Sequence, residues 1–78
     1  MIVFNLKHQL DDGWECRFLI RESSTTHWHL LEGEPGKWLR ERGHSSLILE
    51  CEQRDYNDDY FLEIEDPSLA ILFKLTWL

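Results

Sequence analysis

The chain has 78 residues, a formal charge of −7 and a mean hydropathy of −0.44. That is one domain, residues 1–78, with a limited core, since a chain this short buries only about 60% of the surface its unfolded form exposes. The balance excludes transmembrane helices, which need about 20 consecutive apolar residues where the longest run here is residues 69–73, and it disfavours direct attraction to nucleic acid phosphate.

Residues 2–10 begin with alternation: Ile2, Phe4 and Leu6 against Asn5, Lys7 and Gln9. This pattern predicts a half-buried strand. Asp11-Asp12-Gly13 follows as a hairpin signal, because Asp-Gly supplies the positive φ that tight hairpin turns require. Residues 14–21 alternate again, with Trp14, Cys16, Phe18 and Ile20 on one side. The two segments together predict a first β-hairpin.

Residues 22–26 read as a polar loop. In residues 27–31, Trp28 and Leu30 alternate with His27 and His29, which suits a short extra strand or an irregular segment. Pro35 is suited to the first turn of a helix, where its missing N–H has no cost. Residues 37–42 then form a short helix, with Trp38 and Leu39 inward and Gly43 ending it. Its outer side carries Lys37, Arg40, Glu41 and Arg42.

Residues 45–52 alternate. Leu47, Leu49 and Cys51 are expected to face the core, with Ile48, Glu50 and Glu52 outward. Asn57-Asp58 marks a turn. In residues 60–65, Tyr60, Leu62 and Ile64 face in, opposite Phe61, Glu63 and Glu65. These two strands predict a second hairpin. Asp66-Pro67-Ser68 is a helix start, with Asp as N-cap and Pro at the first helical position. Leu69, Leu72, Phe73 and Trp77 continue at helical spacing, although residues 71–78 are apolar enough for a final strand. The expected fold is α+β: a small antiparallel sheet of two hairpins with two short helices, in the order ββ-α-ββ-α.

Met1 runs directly into Ile-Val-Phe, without a basic segment or cleavage site, so no secretory signal is expected. Cys16 and Cys51 are too few for a disulfide scaffold and read as two buried free thiols of a cytoplasmic protein. His27-x-His29 has no third ligand at a zinc-site spacing, and the plainer reading is exposed loop histidines; no metal or other cofactor is expected. His44 beside Ser45 and Ser46 lacks the surroundings of an activated nucleophile, and no glycine-rich loop would cradle a phosphate, so no catalytic residues are assigned.

The charge has a location. Residues 50–66 hold eight acids and one base, Arg54, while the rest of the chain is balanced at seven and seven. The plain reading is a solvated hairpin that keeps the chain soluble. The functional reading is a docking surface formed by Glu50, Glu52, Asp55, Tyr56, Asp58, Asp59, Phe61, Glu63 and Glu65. Like charges across a hairpin have an energetic cost. An electronegative face can steer encounter with a basic groove and imitate nucleic acid, and apolar centres inside a charged rim have the anatomy of a protein interface.

The segment Tyr60-Phe-Leu-Glu-Ile-Glu-Asp-Pro-Ser-Leu-Ala-Ile-Leu-Phe-Lys-Leu-Thr-Trp77 resembles the ending of short proteins encoded by tailed bacteriophages: an aromatic strand, an acidic turn and a closing Phe-Lys-Leu-Thr-Trp. The resemblance implies a phage or prophage origin. It also implies an accessory role in the host cytoplasm, where small acidic phage proteins bind and block polymerases, nucleases and CRISPR effectors. The alternatives are an assembly module forming a homodimer or larger homo-oligomer, and an RNA or DNA binder using Lys37, Trp38, Arg40 and Arg42.

Overall fold

Alternation becomes a sheet here, and the helices decide which side of it is buried. The computed structural model describes residues 1–21, 26–51 and 58–78. Eight elements follow in order: β1 (Ile2–Asn5), α1 (Lys7–Asp11), β2 (Cys16–Arg21), β3 (Thr26–Leu31), α2 (Gly33–Glu41), β4 (Leu47–Cys51), β5 (Asp59–Ile64) and α3 (Pro67–Trp77). The strands form one antiparallel sheet in the order β1-β5-β4-β3-β2. The α+β class is therefore as expected, with five strands and three helices among the described residues.

The first predicted hairpin is replaced by a longer-range pairing. β1 lies beside β5, with Ile2 opposite Ile64 and Phe4 opposite Leu62. Between β1 and β2 the chain makes α1, and so reaches the opposite edge of the sheet. The turn is local: the Asn5 side-chain oxygen accepts from the Lys7 backbone N–H at 3.0 Å. Leu6 is fully buried and its N–H donates to the Tyr60 carbonyl at 2.7 Å. Leu10 packs against the same core, so the spacing of four from Leu6 reports a helical turn. Gly13, at φ 109°, lets the chain leave α1 instead of closing a hairpin.

The second hairpin, β4–β5, forms as expected, with Leu49 opposite Phe61 and Glu50 opposite Tyr60. The facing of β4 is the reverse of the expectation. Ile48 is fully buried, whereas Leu47 is exposed. Ser46 fixes this phase: its carbonyl accepts from the Leu31 N–H at 2.8 Å and its hydroxyl accepts from Arg40 Nη1 at 2.9 Å. Because strand side chains alternate, that anchor turns Ile48 and Glu50 to the helix side and Leu47, Leu49 and Cys51 away. The predicted turn at Asn57-Asp58 falls partly outside the described residues.

Residues 27–31 belong to a true strand, paired on both sides. α2 starts at Gly33, four residues before the expected helix, with Pro35 in its first turn and Leu39 fully buried. α3 is the expected helix and not a strand. The Asp66 carboxylate accepts from the Ser68 N–H at 3.0 Å, and Ala70 and Phe73 are buried. Leu72, expected on the inner stripe, is exposed. Asp66→Ala should cost about 1 kcal/mol, the usual value of an N-cap. A urea midpoint unchanged from the wild type would remove that role.

The core lies between the three helices and one sheet face. Its strand members are Leu31, Ile48, Leu62 and Ile64, joined by Leu6, Leu39, Ala70 and Phe73. Phe73 is the aromatic hub, with ring centroids 5.6 Å from Phe4, 5.9 Å from Trp38 and 6.4 Å from Trp14. Among the described residues, no helix is long and apolar enough to cross a membrane.

Candidate functional site

The sheet has a second face, and none of the described elements covers it. Val3, Trp28, Leu30, Leu47, Leu49 and Phe61 point there by register, and none belongs to the core cluster. Trp28, Leu49 and Phe61 form a cross-strand row, since Trp28 is opposite Leu49 and Leu49 is opposite Phe61. Side chains so placed lie in direct contact range. A concavity of about 490 Å³ opens over this row, lined also by Leu47, His44, Ser45, Glu63, Glu65 and Asp66. The site is thus apolar in the middle, with three carboxylates along one side.

The sequence-predicted residues divide. Phe61 and Glu63 lie on this face, and Glu63 and Glu65 are exposed. Asp58 and Asp59 are half-buried, and Asp59 accepts from the Asn5 side-chain amide at 3.0 Å. Glu52, Asp55 and Tyr56 lie outside the described residues. Glu50 is not with the others. It points to the helix side, where it hydrogen-bonds His29, and its side chain is only 12% exposed. The expected shared outer face of Glu50, Glu63, Phe61 and Ile48 is corrected accordingly: Ile48 is core, and Glu50 belongs to a separate polar cluster.

That cluster is the feature the sequence reading missed. His27 is buried and His29 nearly so, in place of the expected exposed loop histidines. Cys16 Sγ lies 3.8 Å from His29 Nδ1, and the Tyr60 hydroxyl donates to Glu50 Oε1 at 3.4 Å. Burial pushes the Cys16 thiol above its ordinary range, and the nearby Glu50 and Glu32 carboxylates add to the effect. Burial also raises Tyr60, to about 12, with Glu50 the next cause. Among the described residues, no group of three His, Cys, Asp or Glu side chains suits a metal ion.

The raised phenol has a consequence for pH. An unfolded tyrosine ionises near pH 10, whereas folded Tyr60 holds its proton until about 12. The stabilisation is therefore complete below about pH 10 and is lost as pH rises through about 12. Tyr60→Phe should flatten the alkaline fall of stability in that window, read as thermal unfolding at several pH values. A variant with the wild-type slope would contradict this.

The basic residues of α2 and its C-cap, Arg42, serve local contacts. Arg40 Nη1 donates to the Leu31 carbonyl and to Ser46 Oγ, both at 2.9 Å. The Arg42 guanidinium stacks 3.8 Å over the Trp38 ring, and Lys37 approaches Glu41 at 3.9 Å.

No family model matches this chain, and neither a curated protein nor a solved structure matches it.

Proposed function

We propose that this chain is a binding module that docks a partner protein on the open face of its sheet. The observation that carries this reading is the row Trp28–Leu49–Phe61, set on an uncovered face and bordered by Glu63, Glu65 and Asp66. Aromatic anchors in a concave apolar centre supply most of the affinity of protein interfaces. The carboxylate rim adds steering toward a basic surface. The complementary partner presents apolar side chains within a basic groove. A nucleic-acid-handling protein of a bacterial host has that chemistry, and blocking its groove in the cytoplasm would make the chain an inhibitor that imitates nucleic acid.

Charge reversal tests the rim. Glu63→Lys with Glu65→Lys should weaken capture of the partner about tenfold at low salt, through a slower encounter. The wild-type and variant affinities should converge near 1 M salt, where the Debye length falls to about 3 Å. Equal capture at low salt would sink the electrostatic part of the reading. Glu50 is left intact, because its reversal would break the contact with His29.

A second reading, self-assembly, is favoured by one specific feature. The outer side of α3 exposes Ile71, Leu72 and Leu75, followed by the exposed C-cap Leu78, with Leu75 79% exposed. A helix apolar on all sides usually has neighbours on all sides. Light scattering on the purified chain separates the readings, since a stable oligomer without added partner supports assembly through α3.

A further inference from the structure

Cys16, His29 and Glu50 come from three adjacent strands, β2, β3 and β4, and meet on the helix side of the sheet. Glu50 can only accept a hydrogen bond when ionised, so neutral His29 carries its proton on Nε2. Nδ1 then keeps its lone pair, and Nδ1 is the atom that faces Cys16 Sγ at 3.8 Å. This is the tautomer that a general base requires. The ring is held from two sides. Phe18 meets it edge-on at 5.6 Å between centroids, and Tyr60 meets it at 5.8 Å. Tyr60 in turn donates to the Glu50 carboxylate. His29 and Glu50 are each 12% exposed, so the pair is largely shielded from water. Cys16 is half-buried, at a sheet edge where Phe18 is 52% exposed. A nucleophile, a base aimed at it and a third group orienting the base are thus present together.

We infer that Cys16 is a base-activated thiol that accepts an acyl group from an activated ester or thioester, with His29 as the base and Glu50 as the positioning residue. The site lies on the opposite side of the sheet from the docking face and stands independently of it. In the transfer, Sγ bonds to the acyl carbon while the thiol proton passes to His29 Nδ1. The bond to the alkoxide or thiolate leaving group breaks, and that group takes the proton from Nδ1. The products are an S-acyl Cys16 and an alcohol or thiol. Water returns the free thiol by the same route: its oxygen bonds to the acyl carbon while Nδ1 takes its proton, the bond from carbon to Sγ breaks, Sγ takes that proton from Nδ1, and the acyl group leaves as a carboxylic acid. Burial holds the thiol above its ordinary range, the negative charges of Glu50 and Glu32 add to the effect, and Tyr60 stays protonated. Proton removal must therefore accompany attack, and reactivity follows the imidazole instead of a free thiolate.

The probe is p-nitrophenyl acetate on the full chain, with acetylated peptides mapped by mass spectrometry. Cys51, half-buried on the opposite face, is the internal reference. At neutral pH, Cys16 should acetylate about tenfold or more faster than Cys51, and His29→Gln should slow it by about 10²-fold or more, as loss of a general base does. Glu50→Gln should retain acetylation at a reduced rate and displace the pH profile. Label distributed evenly between the cysteines, or a folded His29→Gln that reacts as fast as the wild type, would overturn the proposal. Should His29→Gln fail to fold, the wild type decides alone: a Cys16 rate that rises with imidazole deprotonation and levels off supports the relay. A rate that climbs tenfold per pH unit into the thiol range rejects it.

Discussion

Replacing Phe73 with alanine should leave the chain largely unfolded or close to it. The side chain is fully buried and touches the rings of Phe4, Trp14 and Trp38. Those three residues come from β1, from the segment before β2 and from α2, so one deletion weakens the attachment of every layer. Phe→Ala in a core costs about 3–5 kcal/mol. A chain of this length has a total stability of about 4–12 kcal/mol. The expected readout is a collapse of the near-ultraviolet aromatic signal and a urea midpoint near zero. Phe73→Leu should lose less, because it fills part of the volume. A wild-type midpoint for Phe73→Ala would mean that α3 does not pack as described.

Gly36→Ala is the second large effect, and its sign is informative. In an isolated helix the change would stabilise by about 1 kcal/mol. Here a Cβ at position 36 would lie 1.9 Å from the Leu31 carbonyl oxygen and 2.6 Å from its carbon. Those are backbone atoms at the end of β3 and cannot rotate aside. The same carbonyl receives the Arg40 hydrogen bond that joins α2 to the sheet. α2 would have to withdraw, loosening both Leu39 and the Ser46 anchor of β4. Overpacking of this type costs about 1–3 kcal/mol, and contact with backbone places it at the upper end. The check is the chemical denaturation midpoint of Gly36→Ala against wild type. A more stable variant would show that close approach of α2 to β3 is not required.

What was legible in the sequence follows from which signals are local. The Asp66 cap, the Phe73–Trp77 spacing and the β4–β5 hairpin all act within a few residues, and all three appear. The Asp12-Gly13 signal is equally local but was outweighed by β1 pairing with a strand about sixty residues away, which nothing in residues 2–13 announces. The facing of β4 was hidden for another reason. Leu47, Ile48 and Leu49 are all apolar, so the phase rested on Glu50, Cys51 and Glu52, and Glu50 is the acid that turns inward to His29. In β3 the alternation has a phase that points the wrong way, because Trp28 and Leu30 suit a core better than His27 and His29, which are the residues turned to the helix side. A sheet that is apolar on both sides misleads a reading that assumes one solvated face. In physical terms, that ambiguity is the trace of a second apolar sheet face outside the core.

The polar cluster was hidden by distance along the chain. Cys16 and His29 are 13 residues apart, and His29 and Glu50 are 21 apart. Only the pairing register brings β2, β3 and β4 together. Once that register is known, Cys16, His29 and Glu50 fall on one face by parity. Glu50, assigned to the acidic surface, is instead its buried exception. The remaining carboxylates at the open face, Glu63, Glu65 and Asp66, keep the acidic character of the site.

Docking on the open face of the sheet can be separated from assembly through α3 by a comparison of three baits. The wild type, an open-face variant carrying Leu49→Thr and Phe61→Thr, and a helix-face variant carrying Ile71→Gln and Leu75→Gln are each presented to a bacterial lysate. Circular dichroism first establishes that all three are folded. The expected partner is retained by the wild type and by the helix-face variant, is released by salt, and is lost from the open-face variant. Retention by the open-face variant, with loss from the helix-face variant, would contradict it.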